Sequence, residues 1–175
     1  MKVLIVVDMQ NDFIDGSIGT KEAVGIVDRV AEVMDSFDGA VICTRDTHFA
    51  DYLETSEGRK LPVEHCIEGT KGHALQDTIQ KMAEKKQAVV MNKITFGAKN
   101  LPEEIEKLAG GVPEFIELVG LCTDICVISN AMLLKAFYPE VPISVDASAC
   151  AGVTSQSHKN ALEAMKMCQI DIVNE

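Results

Sequence analysis

Val3-Leu4-Ile5-Val6-Val7 is an unbroken run of branched apolar residues, with no alternation of polar and apolar side chains. A strand with one solvated face alternates. A short continuous run of this kind fits a strand buried on both faces. Such strands belong to parallel sheets covered by helices on each side, so this one segment already points to an α/β architecture.

Further strand-like segments stand at 40–44, 88–91, 115–119, 142–145 and 170–173, the last three each with one polar residue. Between them the spacing of apolar residues becomes helical. Ala23, Ile26, Val27, Val30, Val33, Met34 and Phe37 predict a helix over 23–37, stopped by Asp38-Gly39. Ala74, Leu75, Ile79 and Met82 predict another over 73–85. Pro102-Glu103-Glu104 opens a short third, with Pro and acids in the first turn where they fit best. Thr123 is expected to cap a helix reaching about Phe137, and Ser155 one reaching about Met167. Six strands alternating with helices predict a three-layer αβα fold around a six-stranded parallel sheet. No linker or repeat interrupts residues 1–175, so a single domain is expected. Residues 45–70 read as a long polar loop, and loops of that length are commonly functional.

A net charge of −11 argues against nucleic acid or an anionic membrane as the main partner. No apolar run approaches the ~20 residues of a membrane helix, and the N-terminus carries no signal-peptide pattern. The cysteines at 43, 66, 122, 126, 150 and 168 are scattered through apolar surroundings without a CxxC pair. A reducing cytoplasm is the simpler expectation for them. The helix over 125–137 is apolar enough to serve either the core or a homo-oligomer.

In an open parallel sheet, ligands bind outside the carboxyl ends of the strands. Three chemically capable side chains stand there. Asp8 ends the first run, Lys93 the third, and Cys126 follows the fourth by way of Gly120-Leu121-Cys122-Thr123-Asp124-Ile125. Placed in the first turn of a helix, the Cys126 thiol would meet unpaired N–H groups and a dipole that favour a thiolate and could hold an oxyanion. A carboxylate against apolar walls gains proton affinity, which suits a base. Taken singly, Asp8 reads equally as a cap, Lys93 as a solvated lysine and Cys126 as a small core residue. A second group lies in the polar loop: Asp46-Thr47-His48, Glu54, Glu57 and His65. An Asp, two His and a Glu could hold zinc, manganese or iron, or simply be an exposed polar loop. No nucleotide loop or complete EF-hand is present, and His73 and His158 are expected to cap helices or face solvent.

Asp-Met-Gln-Asn-Asp-Phe after the first strand, Lys after the third and Gly-Leu-Cys-Thr-Asp-Ile-Cys-Val after the fourth resemble the isochorismatase-like cysteine hydrolases, with nicotinamidases the best fit among them. The resemblance implies Cys126 as nucleophile, Asp8 as general base and acid, and Lys93 as the cation steadying both. It implies a non-proline cis peptide before Cys122, and an oxyanion hole from the Cys122 and Cys126 N–H groups. It also implies a divalent metal, zinc first, on Asp46, His48, His65 and a loop Glu. Glu57 fits the spacing to His65 better than Glu54 does. The implied reaction is hydrolysis of nicotinamide to nicotinate and ammonia through a thioester. The alternatives are another small amide, an N-carbamoyl compound, a vinyl ether, or a non-catalytic binding role. One departure stands out: Leu61-Pro62-Val63-Glu64 occupies the place of an aromatic that walls the ring, and the chain has no Trp. Phe13 and Phe96 are expected to supply that wall.

Overall fold

The computed structural model describes residues 1–175. Six strands form one sheet: β1 (Lys2–Val7), β2 (Ala40–Asp46), β3 (Val89–Lys93), β4 (Phe115–Leu121), β5 (Ile143–Ala151) and β6 (Asp171–Val173). Their order is β3-β2-β1-β4-β5-β6, and every pairing is parallel. The chain therefore builds outward from β1 to one edge, returns to β4 on the other side of β1, and builds to the opposite edge. The strand order reverses between β1 and β4, which is where an open α/β sheet offers its crevice.

The unbroken apolar run of β1 is divided by the strand's two-residue period. Val3, Ile5 and Val7 enter one core, and Leu4 and Val6 the other. The helices are α1 (Asn11–Ile14), α2 (Lys21–Gly25), α3 (Val27–Ser36), α4 (Ser56–Lys60), α5 (Asp77–Lys85), α6 (Leu101–Ala109), α7 (Ile128–Phe137) and α8 (Ser155–Met167). Leu101 and Ile105 of α6, Ala131 and Leu134 of α7, and Leu162 and Met165 of α8 cover the first face. Val30 and Met34 of α3 with Ile79 and Ala83 of α5 cover the second. Each fully buried aliphatic side chain in these layers contributes roughly 1.5–3 kcal/mol. Of the apolar residues of α7, Ala131 and Leu134 enter the core, while Phe137 is exposed. No helix is long and apolar enough to cross a membrane, and all six cysteines are free.

The structure departs from the sequence expectations at several element ends. The helix expected over 23–37 is two helices broken at Ile26, directly after Gly25, a residue that weakens helix interiors. The helix expected from 73 begins only at Asp77. Residues 74–76 instead pair with 9–11, with Asn11 N–H donating to Ala74 O and Gln76 N–H to Met9 O. The Gln76 side chain then caps α5 through the Thr78 and Ile79 N–H groups. Thr154, not Ser155, caps α8, in a reciprocal box with Ser157. The 45–70 loop is partly ordered as a short 3-10 turn, Tyr52–Glu54, followed by α4.

Candidate active site

Asp8 sits one residue past β1 with a left-handed backbone (φ 48°), a conformation Asp tolerates better than most residues. Its side chain is fully buried at the centre of the sheet edge. Thr44, on the neighbouring β2, donates its hydroxyl to Asp8 Oδ1 at 2.7 Å. Lys93, at the end of β3, places Nζ 2.7 Å from Asp8 Oδ2, 3.0 Å from Asp46 Oδ1 and 3.4 Å from Cys126 Sγ. Adjacent strands end in register here, Asp46 opposite Lys93, so the ammonium reaches across the sheet edge toward the thiol. The three strand-end residues singled out from sequence therefore meet at one point.

The electrostatics follow from burial. Burial raises the proton affinity of the Asp8 carboxyl above the ordinary carboxylate value, against the pull of Lys93. Burial alone would lower Lys93. The charge of Asp8, that of Cys126 when ionised, and that of Asp46 outweigh it and favour the ammonium. Cys126 is pushed well above the usual thiol value by burial and then by the nearby Asp8 charge, which outweigh Lys93. Burial thus favours the neutral thiol, beside the Asp8 carboxyl group.

The segment carrying Cys126 is not the ordinary helix start the sequence suggests. Thr123–Val127 forms a π turn, with Val127 N–H donating to Cys122 O across five residues, and α7 follows. π turns of this kind are frequent at functional sites. Thr123 does not cap it. Its hydroxyl pairs with His158 Nδ1 at 2.8 Å. The Leu121–Cys122 peptide is cis, and the Cys122 N–H makes no hydrogen bond within the protein. Gly120 (φ 113°) precedes it where a side chain would strike the Val7 carbonyl, so only glycine lets β4 lie this close to β1 at its end.

Beside this group, Asp46, His48, Glu57 and His65 bring one donor atom each within 4.8 Å of one another. His48 Nε2 lies 2.9 Å from Asp46 Oδ2 and 3.6 Å from Glu57 Oε1. His65 Nε2 lies 3.8 and 3.7 Å from the same two oxygens. These separations suit donors grouped around an ion at ~2.0–2.2 Å. His65 donates Nδ1–H to Val63 O at 2.9 Å, which leaves its Nε2 lone pair toward the cluster. His48 Nε2 is buried with no aligned hydrogen-bond partner, an orphaned donor atom of the kind a metal satisfies. The residues present therefore fit a divalent cation with nitrogen and oxygen ligands. Glu54 lies outside the set, its carbonyl held instead by Arg59.

Several supporting residues carry no signal that sequence reasoning used. Gln10 is fully buried and grips Asp46 on both sides of its backbone: Asp46 N–H donates to Oε1 at 2.7 Å, and Nε2 donates to Asp46 O at 2.8 Å. Tyr52 is also fully buried, packs its ring on His48 and His65 at 4.6 and 5.0 Å, and donates its hydroxyl to Leu61 O. Gly58 of α4, the residue after Glu57, lies against the Tyr52 carbonyl where no Cβ would fit. His73, expected to cap a helix or face solvent, is instead buried against the Thr47 hydroxyl. The polar alternation of Asp8-Met9-Gln10 was the one available hint, since a buried strand end has little reason to place Gln there.

Cys126 and Asp46 line a cavity of about 260 Å³ together with Phe13, Phe96, Cys122 and His65. The ring of Phe13 meets His65 edge-on at 5.6 Å. Both phenylalanines expected to wall the site do line it.

Residues 2–174, nearly the whole chain, match the model of the Isochorismatase domain. The chain belongs to the Isochorismatase domain family. Among curated proteins this family member is similar to the nicotinamidase/pyrazinamidase of Mycobacterium tuberculosis (strain ATCC 25618 / H37Rv), 28% identical over 191 residues covering 99% of this chain and 98% of the relative. Among solved structures it is similar to the pyrazinamidase/nicotinamidase of Streptococcus mutans UA159 (TM-score 0.80, 28% identity, 99% and 100% of the two chains). It is also similar to the pyrazinamidase of Pyrococcus horikoshii in complex with zinc (TM-score 0.77, 25% identity, 99% of each). In this isochorismatase-family chain the crevice at the β1/β4 reversal gathers a thiol, a carboxyl group, an ammonium and an N/O donor set, and of these Cys126, Asp46, Glu57 and His65 line the cavity.

Proposed function

We propose that this protein is a metal-assisted cysteine amidohydrolase that converts nicotinamide and water to nicotinate and ammonia, with residues 1–175 acting as one catalytic domain. The observation that carries this reading is Lys93 Nζ, 2.7 Å from Asp8 Oδ2 and 3.4 Å from Cys126 Sγ. A base, a nucleophile and a fixed cation share one buried point. The nicotinamidase and pyrazinamidase relatives support the same substrate class.

In this reading Asp8 takes the proton from Cys126, and the sulfur attacks the carboxamide carbon. The oxyanion is held by the N–H groups of Cys122 and Cys126. Lys93 remains an ammonium throughout and offsets charge on either partner. The C–N bond breaks as Asp8 returns its proton to the departing nitrogen, and ammonia leaves a thioester on Cys126. Asp8 then draws a proton from water, whose oxygen attacks the thioester carbon; the C–S bond breaks, Asp8 returns that proton to the sulfur, and the acid product leaves, giving up its own proton to become nicotinate. A divalent ion held by Asp46, His48, Glu57 and His65, zinc being the first choice, supplies when bound a coordination site for the pyridine nitrogen. Phe13 and Phe96 confine the ring.

The test is direct. The purified protein, supplied with zinc, is incubated with nicotinamide, and nicotinate is measured by chromatography alongside released ammonia. Equal formation of both is expected. Absence of nicotinate from zinc- and manganese-supplied protein overturns the reading.

A further inference from the structure

We propose that the reacting cavity continues into an outer subsite, and that this protein's substrates include aryl carboxamides carrying an uncharged apolar extension on the acyl side. This rests on the amidase reading above and narrows its substrate class.

A second hollow of about 490 Å³ adjoins the 260 Å³ cavity that holds Cys126. Glu57, Leu61, Phe96 and Ile125 line both, so the two meet at these residues, the outer one being the more open. The inner cavity lies below the ~300–1,000 Å³ of sites that take drug-sized ligands, and a single ring would occupy it. The outer one is nearly twice as large. Its apolar surface is Leu61, Ile94, Phe96 and Ile125. Ile94 is 66% exposed, Phe96 45% and Leu61 41%. Large apolar side chains gathered at the rim of a cavity mark a surface that a ligand covers. The only charged residues lining the outer hollow are Glu57 and Lys60, of opposite sign, which favours neither an anionic nor a cationic occupant.

Orientation follows from the residues at the inner end. Cys126 lines the inner cavity alone, so the carbonyl carbon must lie there. The departing nitrogen must face Asp8, which is fully buried and borders neither hollow. A substituent on that nitrogen has no room. The far side of the acyl ring points instead to the Leu61–Phe96 wall and the outer hollow beyond it.

The experiment compares zinc-supplied protein on nicotinamide, 5-phenylnicotinamide, 6-phenylnicotinamide and N-benzylnicotinamide, reading the carboxylate product. At least one phenyl compound is expected to exceed nicotinamide in kcat/KM by about tenfold, the gain from covering a phenyl ring with apolar surface. The N-benzyl compound is expected to be inert. Ile94→Trp, which fills the outer hollow from an exposed position, should lower the phenyl-to-nicotinamide ratio of kcat/KM about tenfold. The inference is overturned if nicotinamide is hydrolysed faster than both phenyl compounds, if N-benzylnicotinamide is preferred, or if Ile94→Trp leaves the ratio unmoved. Should no compound be hydrolysed, the amidase reading fails separately. Calorimetric binding to Cys126→Ala then decides the subsite: tighter binding of a phenyl compound than of nicotinamide supports it, and equal or weaker binding removes it.

Discussion

Asp46 and Lys93 join the two halves of the site: Lys93 Nζ lies 3.0 Å from Asp46 Oδ1, while Asp46 Oδ2 faces His48 at 2.9 Å. One carboxylate thus serves the ammonium beside the thiol with one oxygen and the metal-ligand set with the other. Burial would raise its proton affinity. The close approach of His48 and Lys93 outweighs this and holds the Asp46 carboxyl below its ordinary value, charged on both sides.

Removing the ammonium should therefore be costly to the fold as well as to the reaction. Lys93→Met leaves Asp8 and Asp46 buried without their common cation. Loss of one partner from a buried ion pair costs roughly 3–5 kcal/mol. Urea denaturation should show a drop of about that size, together with loss of ammonia release. A variant as stable as the parent would contradict the ion-pair geometry.

Cys126→Ala separates chemistry from folding. The thiol is small and sits in a continuous core, so the thermal midpoint should move little. Ammonia release from nicotinamide should fall by at least about a thousandfold, as for loss of other covalent nucleophiles. Substantial retained turnover would show that another group attacks the amide.

Gly58→Ala should damage the metal set without touching a ligand. The added methyl group meets the Tyr52 carbonyl and pushes α4, which carries Glu57, off the 3-10 turn. Zinc stoichiometry after dialysis, measured by elemental analysis, should fall below that of the parent. A chelator applied to the parent should likewise suppress ammonia release, and added zinc should restore it. Full zinc content in Gly58→Ala would break the link between that contact and Glu57.

A pH-dependent contribution is expected far from the site. Asp146 on β5 is buried and accepts hydrogen bonds from Ser148, Asn174 and Arg29 at 2.6–3.0 Å. Burial opposes ionisation there, but these partners prevail and hold the carboxyl below its ordinary 3.8. A depressed folded-state value adds stability above the unfolded pKa, and that stability is lost as pH falls through the folded value. Asp146→Asn should cost about 2 kcal/mol at pH 7. The difference from the parent should shrink on acidification below about pH 4. A difference that stays constant down to pH 2 would rule the linkage out.

The strands were legible because β1 and β2 are buried on both faces and carry continuous apolar runs, and β4 carries one interrupted only by Glu117. The site was legible where it hangs on strand ends: Asp8, Lys93 and Cys126 are placed by the ends of β1, β3 and β4, and sequence order shows them. The donor set was half legible, because Asp46 also ends a strand while Glu57 depends on α4 and Gly58. What stayed hidden was tertiary. Leu75 continues a helical pattern, yet backbone pairing with Gln10 claims it before α5 can begin. Gln10 and Tyr52 have ordinary local contexts, and only their contacts with Asp46 and with the two histidines reveal what they hold. The helical turn that carries Cys126 is visible in sequence, whereas the burial that raises the proton affinity of its thiol is not.

The reversal of strand order between β1 and β4 has an evolutionary consequence. Asp8 and the Cys126 segment hang from two central strands, Lys93 from an edge strand two places away, and their separations are set by the ~4.8 Å spacing of the ladder. Leu61, Ile94 and Phe96, by contrast, sit on connections that no ladder constrains. Descendants of this chain can exchange those rim residues, and with them the molecules they accept, while bond-breaking stays anchored to inherited scaffolding.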